Sequence, residues 1–310
     1  MERKDQKPSL RKRILYFWAR LWANFVIRLA KWLPLKSFCF VAGILGTTGF
    51  CLMRKRRRIA YHNLQIAFGR SKTKRECDEI IKTTFRDTAK NALEVAKLIY
   101  TNPVFLRELI SIDGLEYLDN ALGQGKGVVA LSAHMGNFAL IGPRLFLEGY
   151  PFSLIARDPK DKTLAKTLLG FRNTLGIDSI PDKPRRTCVA KSLASLKKNG
   201  ILYLQIDQNA SSEDLWVDFF GWLVPTFRGP VVFSLRTGAP ILPMFIIRDA
   251  PNHHTLIIKP PFDLISTENK EDDIHQNTAK LTKLIEAYIL QYPTQWWWFH
   301  RRWKKAKKAN

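Results

Sequence analysis

The chain has 310 residues, 46% of them hydrophobic, which is enough to bury a sizeable core without choosing between one large domain and two small ones. Its net charge of +23 is lopsided: residues 1–58 hold fifteen basic and two acidic side chains, residues 301–310 hold six basic and no acidic ones, and the rest is nearly balanced. Seven of the nine tryptophans (Trp18, Trp22, Trp32, Trp296, Trp297, Trp298 and Trp303) lie in or just before those basic ends, a composition that suits anionic membrane lipid and argues against nucleic acid.

In chain order, ILYFWARLWANFVIRLAKWL (14–33) places Arg20, Asn24, Arg28 and Lys31 in one narrow helical stripe on an otherwise apolar helix, the pattern of a helix lying in a lipid interface. Pro34 ends it. The apolar run SFCFVAGILGTTGFCLM (37–53) is short of the roughly 20 residues a straight span needs, so it crosses a thin bilayer, dips into it or packs on the domain. Arg54, Lys55, Arg56, Arg57 and Arg58 follow at once, and the positive-inside rule keeps what comes next on the cytoplasmic side. These features divide the chain into a basic membrane-anchoring segment, 1–58, and an α/β domain, 59–310, with a basic aromatic tail. Cys39, Cys51, Cys77 and Cys188 form no CxxC pair and read as buried free thiols of a reducing compartment.

The spacing predicts helices near 74–100 and 103–122, then four compact apolar strands: GVVALSA (127–133), FSLIA (152–156), ILYLQI (201–206) and ILPMFII (241–247). Helices at 162–175 and 188–198 separate the middle ones, and HTLIIK and a closing helix (278–292) finish the chain. Near-continuous apolar strands alternating with helices imply a single α/β domain with a mostly parallel sheet covered on both faces.

Functional groups in such sheets gather beyond the carboxyl ends of the strands. His134 stands there, as do Arg157 and the pair Asp207 and Gln208. Of the arginines that could clamp phosphates, Arg157 and Arg228 are the favoured two, over Arg172 and Arg236. His253 and His254 adjoin Pro251 and Asn252 and read as exposed turn residues, and no metal-ligand spacing is found. The FFG at 219–221, with Trp216 and Trp222, reads as a loop whose aromatics pack in the core, wall an acyl chain or form a lip resting in the bilayer.

Five segments in order, RRRIAYHNLQIAFG (56–69), SAHMGNF (132–138), IDQN (206–209), VDFFGWLVPTFRGPVVFSLRTGAPILP (217–243) and QWWWFHRRWK (295–304), resemble the bacterial lipid A biosynthesis acyltransferase family of the lysophospholipid acyltransferase superfamily. The resemblance runs from about residue 34 to the end. It implies an enzyme of the bacterial inner membrane, facing the cytoplasm, that moves a fatty acyl chain from an acyl carrier protein or coenzyme A thioester to a hydroxyl of a glycolipid acceptor, without a cofactor. His134 is the implied general base, with Asn137, Arg157, Asp207, Gln208 and Arg228 as substrate-binding positions. The chemistry agrees, because an alcohol attacking a thioester needs a positioned imidazole to take its proton.

The family pattern puts Glu or Asp five residues after the histidine, and this chain has Ala139 there; it also has Thr294 where Glu is usual. Three readings follow. Another carboxylate, Asp207 or Asp214, reaches His134 Nδ1; or a carbonyl or water orients the ring alone; or the chain is a weakened or inactive lipid-binding paralogue.

Overall fold

The computed structural model describes residues 10–157, 159, 161–210 and 215–308, leaving aside the side chains of 10–16, 19, 20, 22, 23 and 162. Four helices come first: α1 (Leu10–Trp32), α2 (Phe38–Leu52), α3 (Arg54–Phe68) and α4 (Lys74–Lys97). Pro34 follows α1 as expected, and Thr73 with Glu76 forms a capping box that starts α4. The remaining elements are α5 (Leu106–Leu109), β1 (Ile110–Asp113), α6 (Leu115–Leu122), β2 (Val128–Ser132), α7 (Ile141–Phe146), β3 (Phe152–Ala156), α8 (Lys162–Thr174), β4 (Ile177–Pro181), α9 (Arg185–Lys197), β5 (Ile201–Gln205), β6 (Leu215–Phe219), β7 (Trp222–Thr226), α10 (Gly229–Thr237), β8 (Ile241–Ala250), β9 (His253–Ile258), α11 (Lys270–Gln291) and β10 (Lys307–Lys308).

Seven strands form one sheet in the order β1-β9-β8-β2-β5-β3-β4. Five neighbours from β8 to β4 run parallel, while β9 pairs antiparallel with β8 and carries β1 parallel to itself. Each central strand feeds two cores by alternation. Val129, Leu131, Leu202, Ile241 and Phe245 meet α3, α4, α9, α10 and α11 on one face, whereas Val128, Ala130, Ile201, Tyr203, Leu242 and Met244 meet α5, α6 and α7 on the other. The expected α/β domain is present, with helices on both faces.

Several sequence expectations change or narrow. The run near 103–122 is broken by β1, whose four residues are too few to show an alternation against flanking helices. His253 and His254 lie in β9, and His254 is fully buried because alternate residues of that strand face the core. The FFG is the tip of the β6–β7 hairpin, and Phe219 is buried against Trp296 and Trp303, so its aromatics pack in the core and do not wall the groove described below. All four cysteines are free as expected, but only Cys77 and Cys188 are buried; Cys39 and Cys51, both on α2, are exposed and correct the expectation of four buried thiols.

α1 and α2 pack along α4, joined by Ala30, Phe38, Ala42, Leu93 and Ala96. Gly46 lets α2 approach closely, since a Cβ there would lie 2.5 Å from Arg86 Cα. The opposite side of this pair is apolar and exposed: Phe17, Trp18, Leu21, Phe25, Trp32, Phe40, Ile44 and Leu52 all face outward. Residues Leu35–Leu52 are apolar and long enough to cross a membrane, with 17% of them buried. In the basic stripe of α1 the Arg20 side chain, like that of Trp22, lies outside the described residues, while Asn24 and Arg28 are exposed. α3 runs unbroken through position 58.

Candidate active site

Ser132 at the end of β2 is in register with Gln205 at the end of the parallel neighbour β5. His134 and Asp207 each stand two residues further on, so the two side chains leave adjoining strand ends side by side. His134 Nδ1 lies 2.8 Å from Asp207 Oδ1, and the His134 backbone N–H donates to Asp207 Oδ2 at 2.9 Å. A third donor, Trp296 Nε1–H, reaches Oδ2 at 2.8 Å. Asp207 is 2% exposed. Burial pushes its carboxyl up, but the His134 ring, the His134 N–H and the Trp296 indole outweigh that and hold it below the usual carboxylate range. The position left empty of acid by Ala139 is thus filled from the next strand. Asp214, the other candidate carboxylate, lies outside the described residues.

The loop that carries His134 is held in an extended pairing with residues 295–297. Gly136 N–H donates to Gln295 O at 2.9 Å and Trp297 N–H to His134 O at 3.0 Å. Gly136 has φ +55, and a Cβ on it would fall 2.0 Å from Ile246 O, so no other residue fits. The edge of Phe138 packs on the His134 ring at 4.9 Å between centroids.

Behind the loop lies a buried polar network. Glu94, 1% exposed, accepts from Arg248 Nη1 at 2.7 Å, Arg248 Nη2 at 2.9 Å, Asn137 Nδ2 at 2.9 Å and His254 Nε2 at 3.1 Å. Burial raises its carboxyl, but the hydrogen bonds from His254 and Arg248 and the Arg248 charge bring it down to about 2. Burial also keeps His254 below its ordinary value, opposed by Glu94, so a neutral ring donates its Nε2–H. Asn91 links the network to the loop, accepting from Arg248 Nη2 at 2.6 Å and donating to Gly136 O at 2.8 Å.

His134 opens onto a groove of about 440 Å³. Val26 and Ile27 of α1, Ala92, Val95 and Ala96 of α4, and Leu168 and Phe171 of α8 give it apolar walls, and Thr84, Asp87, Asn91 and Gln295 give it a polar end near the histidine. Its size and its few convergent polar groups are those of a small-ligand site. Nδ1 is engaged by Asp207, which leaves Nε2 as the nitrogen available to a molecule in the groove.

The structure brings His134, Asp207 and Asn137 together. Asn137 is buried, and its amide is committed to Glu94 and to Asn91 O. Gln208 follows Asp207 and accepts from Arg302 through its carbonyl. Arg157 extends from β3, two strands away, where it is exposed and bonds Asp182 at 2.7 Å; Arg228 precedes α10 and pairs with Glu271 at 3.6 Å. Neither arginine lines the groove. Sequence reasoning missed Glu94, Asn91, Arg248, His254 and Trp296. Asp87, Asn91 and Glu94 recur at helical spacing on α4, beside its apolar stripe, which is a signal that could have found them.

A model of the bacterial lipid A biosynthesis acyltransferase family matches residues 3–305. The chain is 24% identical over 302 residues to the lipid A biosynthesis palmitoleoyltransferase of Escherichia coli (strain K12), covering 93% of this chain and 92% of that protein. It is 23% identical over 264 residues to the lipid A biosynthesis lauroyltransferase of the same strain, covering 84% and 83%. It is 24% identical over 230 residues to the phosphatidylinositol mannoside acyltransferase of Mycolicibacterium smegmatis (strain ATCC 700084 / mc(2)155), covering 73% of each.

Proposed function

Because the chain belongs to the bacterial lipid A biosynthesis acyltransferase family and is an acyltransferase, we propose that it moves a fatty acyl chain from an acyl carrier protein or coenzyme A thioester to a hydroxyl of a lipid A precursor or related glycolipid or lysophospholipid. The reaction uses no cofactor. It takes place at the bacterial inner membrane, with the catalytic face toward the cytoplasm. The observation that carries this reading is the His134–Asp207 pair at the polar end of an apolar groove.

Asp207, ionised and buried, favours the tautomer with the proton on Nδ1, so Nε2 offers its lone pair to the groove. The acceptor oxygen attacks the thioester carbonyl carbon while its proton passes to Nε2. The imidazolium so formed is stabilised by Asp207 at 2.8 Å. When the tetrahedral intermediate collapses, the C–S bond breaks and the departing sulfur takes the proton back from Nε2, returning the base to its starting state. Negative charge on the carbonyl oxygen calls for fixed donors. Gly136 N–H is committed to Gln295 O, whereas the N–H groups of Phe138 and Ala139 open a short helical turn and have no carbonyl partner within it.

Ala139 alone would suit an inactive lipid-binding chain. With Asp207 in place of that acid, the geometry favours a working base. Incubating the protein in detergent with an acyl carrier protein thioester and a lipid A precursor should give an O-acylated product that His134→Ala abolishes. Absence of product with lipid A, phosphatidylinositol mannoside and lysophospholipid acceptors would remove the reading.

A further inference from the structure

The basic run at the start of α3 is divided in two. Arg56 and Arg57 are tied to the fold, donating to Phe299 O at 3.1 Å and Phe50 O at 2.9 Å, with Arg57 also over the Phe50 ring. Arg58 and His62, one helical turn apart, are exposed on a different face. Opposite them the C-terminal segment presents Arg301 and Lys304, also exposed. The four enclose a cup of about 230 Å³ whose floor is Ile59, Asn63 and Trp303. Among the described residues none of the three cations, Arg58, Arg301 and Lys304, has an acidic partner, and neither residues 54–75 nor residues 287–310 contain Asp or Glu. Unpaired positive charge lining a concave surface focuses its field and raises the local concentration of anions there.

The cup is wired to the active site at two points. Trp297 N–H donates to His134 O at 3.0 Å, and the four residues from Trp297 to Arg301 span at most about 14 Å. On the other side, Asn209, two residues beyond Asp207, donates its backbone N–H to His300 Nε2 at 3.2 Å and its amide to Arg301 O at 2.5 Å. Asn63 Nδ2 fixes the wall by donating to Trp298 O at 2.8 Å and His300 O at 2.7 Å. A group seated in the cup is therefore held at a set distance from the base.

We infer that the cup formed by Arg58, His62, Arg301 and Lys304 binds a phosphoryl group on the headgroup of the acceptor lipid, and so holds that lipid at the entrance to the groove. This rests on the acyl-transfer reading above. Guanidinium groups and an ammonium match phosphate oxygens with charge-assisted hydrogen bonds, and Trp303 and Ile59 offer an apolar surface to a sugar ring. The exposed apolar face of α2 ends at Leu52, directly before α3, which puts the cup next to a lipid surface. An acidic carrier protein is the weaker occupant, because docking of a protein calls for about 800 Å² on each partner and the cup admits only a small group.

The test compares wild type with Arg58→Ala/Arg301→Ala, using a phosphorylated lipid A precursor and the same lipid dephosphorylated. The expected result is a KM for the phosphorylated acceptor raised about tenfold per arginine, with kcat at saturation and the donor KM unchanged, and no difference between the proteins on the dephosphorylated lipid. An unchanged acceptor KM overturns the inference, as does an equal loss on both lipids. A rise in the donor KM instead assigns the cup to the carrier protein and overturns it too. Binding of the two lipids to His134→Ala protein in detergent, with and without the cup substitutions, separates the two proposals. Phosphate-dependent binding lost with the arginines supports the cup even where wild type makes no product, an outcome that sinks only the acyl-transfer reading.

Discussion

Asp207→Asn is the substitution that most directly probes the proposed base. Oδ2 accepts from two fixed donors, the His134 backbone N–H at 2.9 Å and the Trp296 indole at 2.8 Å, while Oδ1 faces His134 Nδ1 at 2.8 Å. An asparagine must keep its carbonyl toward the two donors, since the reverse orientation would set an NH2 against two N–H groups. Its NH2 then points at Nδ1 and makes that nitrogen an acceptor, which moves the ring proton to Nε2. The atom meant to take the acceptor's proton already carries one. The same exchange in a serine-protease triad costs about 10⁴ in kcat, or about 5.5 kcal/mol of barrier. We expect a fall of that order in kcat, measured at saturating donor and acceptor, with KM little changed and the fold intact by near-UV circular dichroism. A variant within tenfold of wild type, alongside an inactive His134→Ala, would refute the argument that Asp207 sets the tautomer.

Ala139→Glu restores the acid of the family pattern, yet Nδ1 is already held and position 139 is exposed. We expect kcat within about threefold of wild type, and a gain above tenfold in steady-state assays would mean that the present pair is crippled. Glu94→Gln removes the buried carboxylate that Arg248 holds and leaves that guanidinium with Asp87 at 3.9 Å as its only carboxylate, a change that costs at most about 3–5 kcal/mol in comparable pairs. Since the Glu94 carboxyl falls from 4.5 to about 2 on folding, its contribution is complete above about pH 4.5 and is lost as pH falls toward 2. Denaturant unfolding of wild type and variant should differ strongly at pH 7 and converge in acid, and an equal difference at both ends would contradict the assignment.

Much of this was visible in the chain. The four apolar strands were found because buried parallel strands are continuously hydrophobic, and His134 and Asp207 were placed at strand ends because each follows such a run. Their contact was harder to see: it depends on β2 and β5 being neighbours, a fact of strand order that no local pattern records. Glu94 was hidden for a different reason. It sits in a helix rich in Lys, Arg, Asp and Glu, and only the arrival of Arg248 and His254 from β8 and β9 makes it a buried anion. Arg157 and Arg228 were reasonable phosphate ligands by position, but Asp182 and Glu271 already pair with them.

Val26 and Ile27 belong to α1, the same helix whose Phe17, Trp18, Leu21 and Phe25 face outward. The helix that would be discarded to obtain a more soluble protein is therefore also one wall of the groove onto which His134 opens. Trimming the chain back to α3 would leave the His134–Asp207 pair beside a trough open along one flank, and under the proposed reaction the length of fatty acid it accepts would no longer be bounded there.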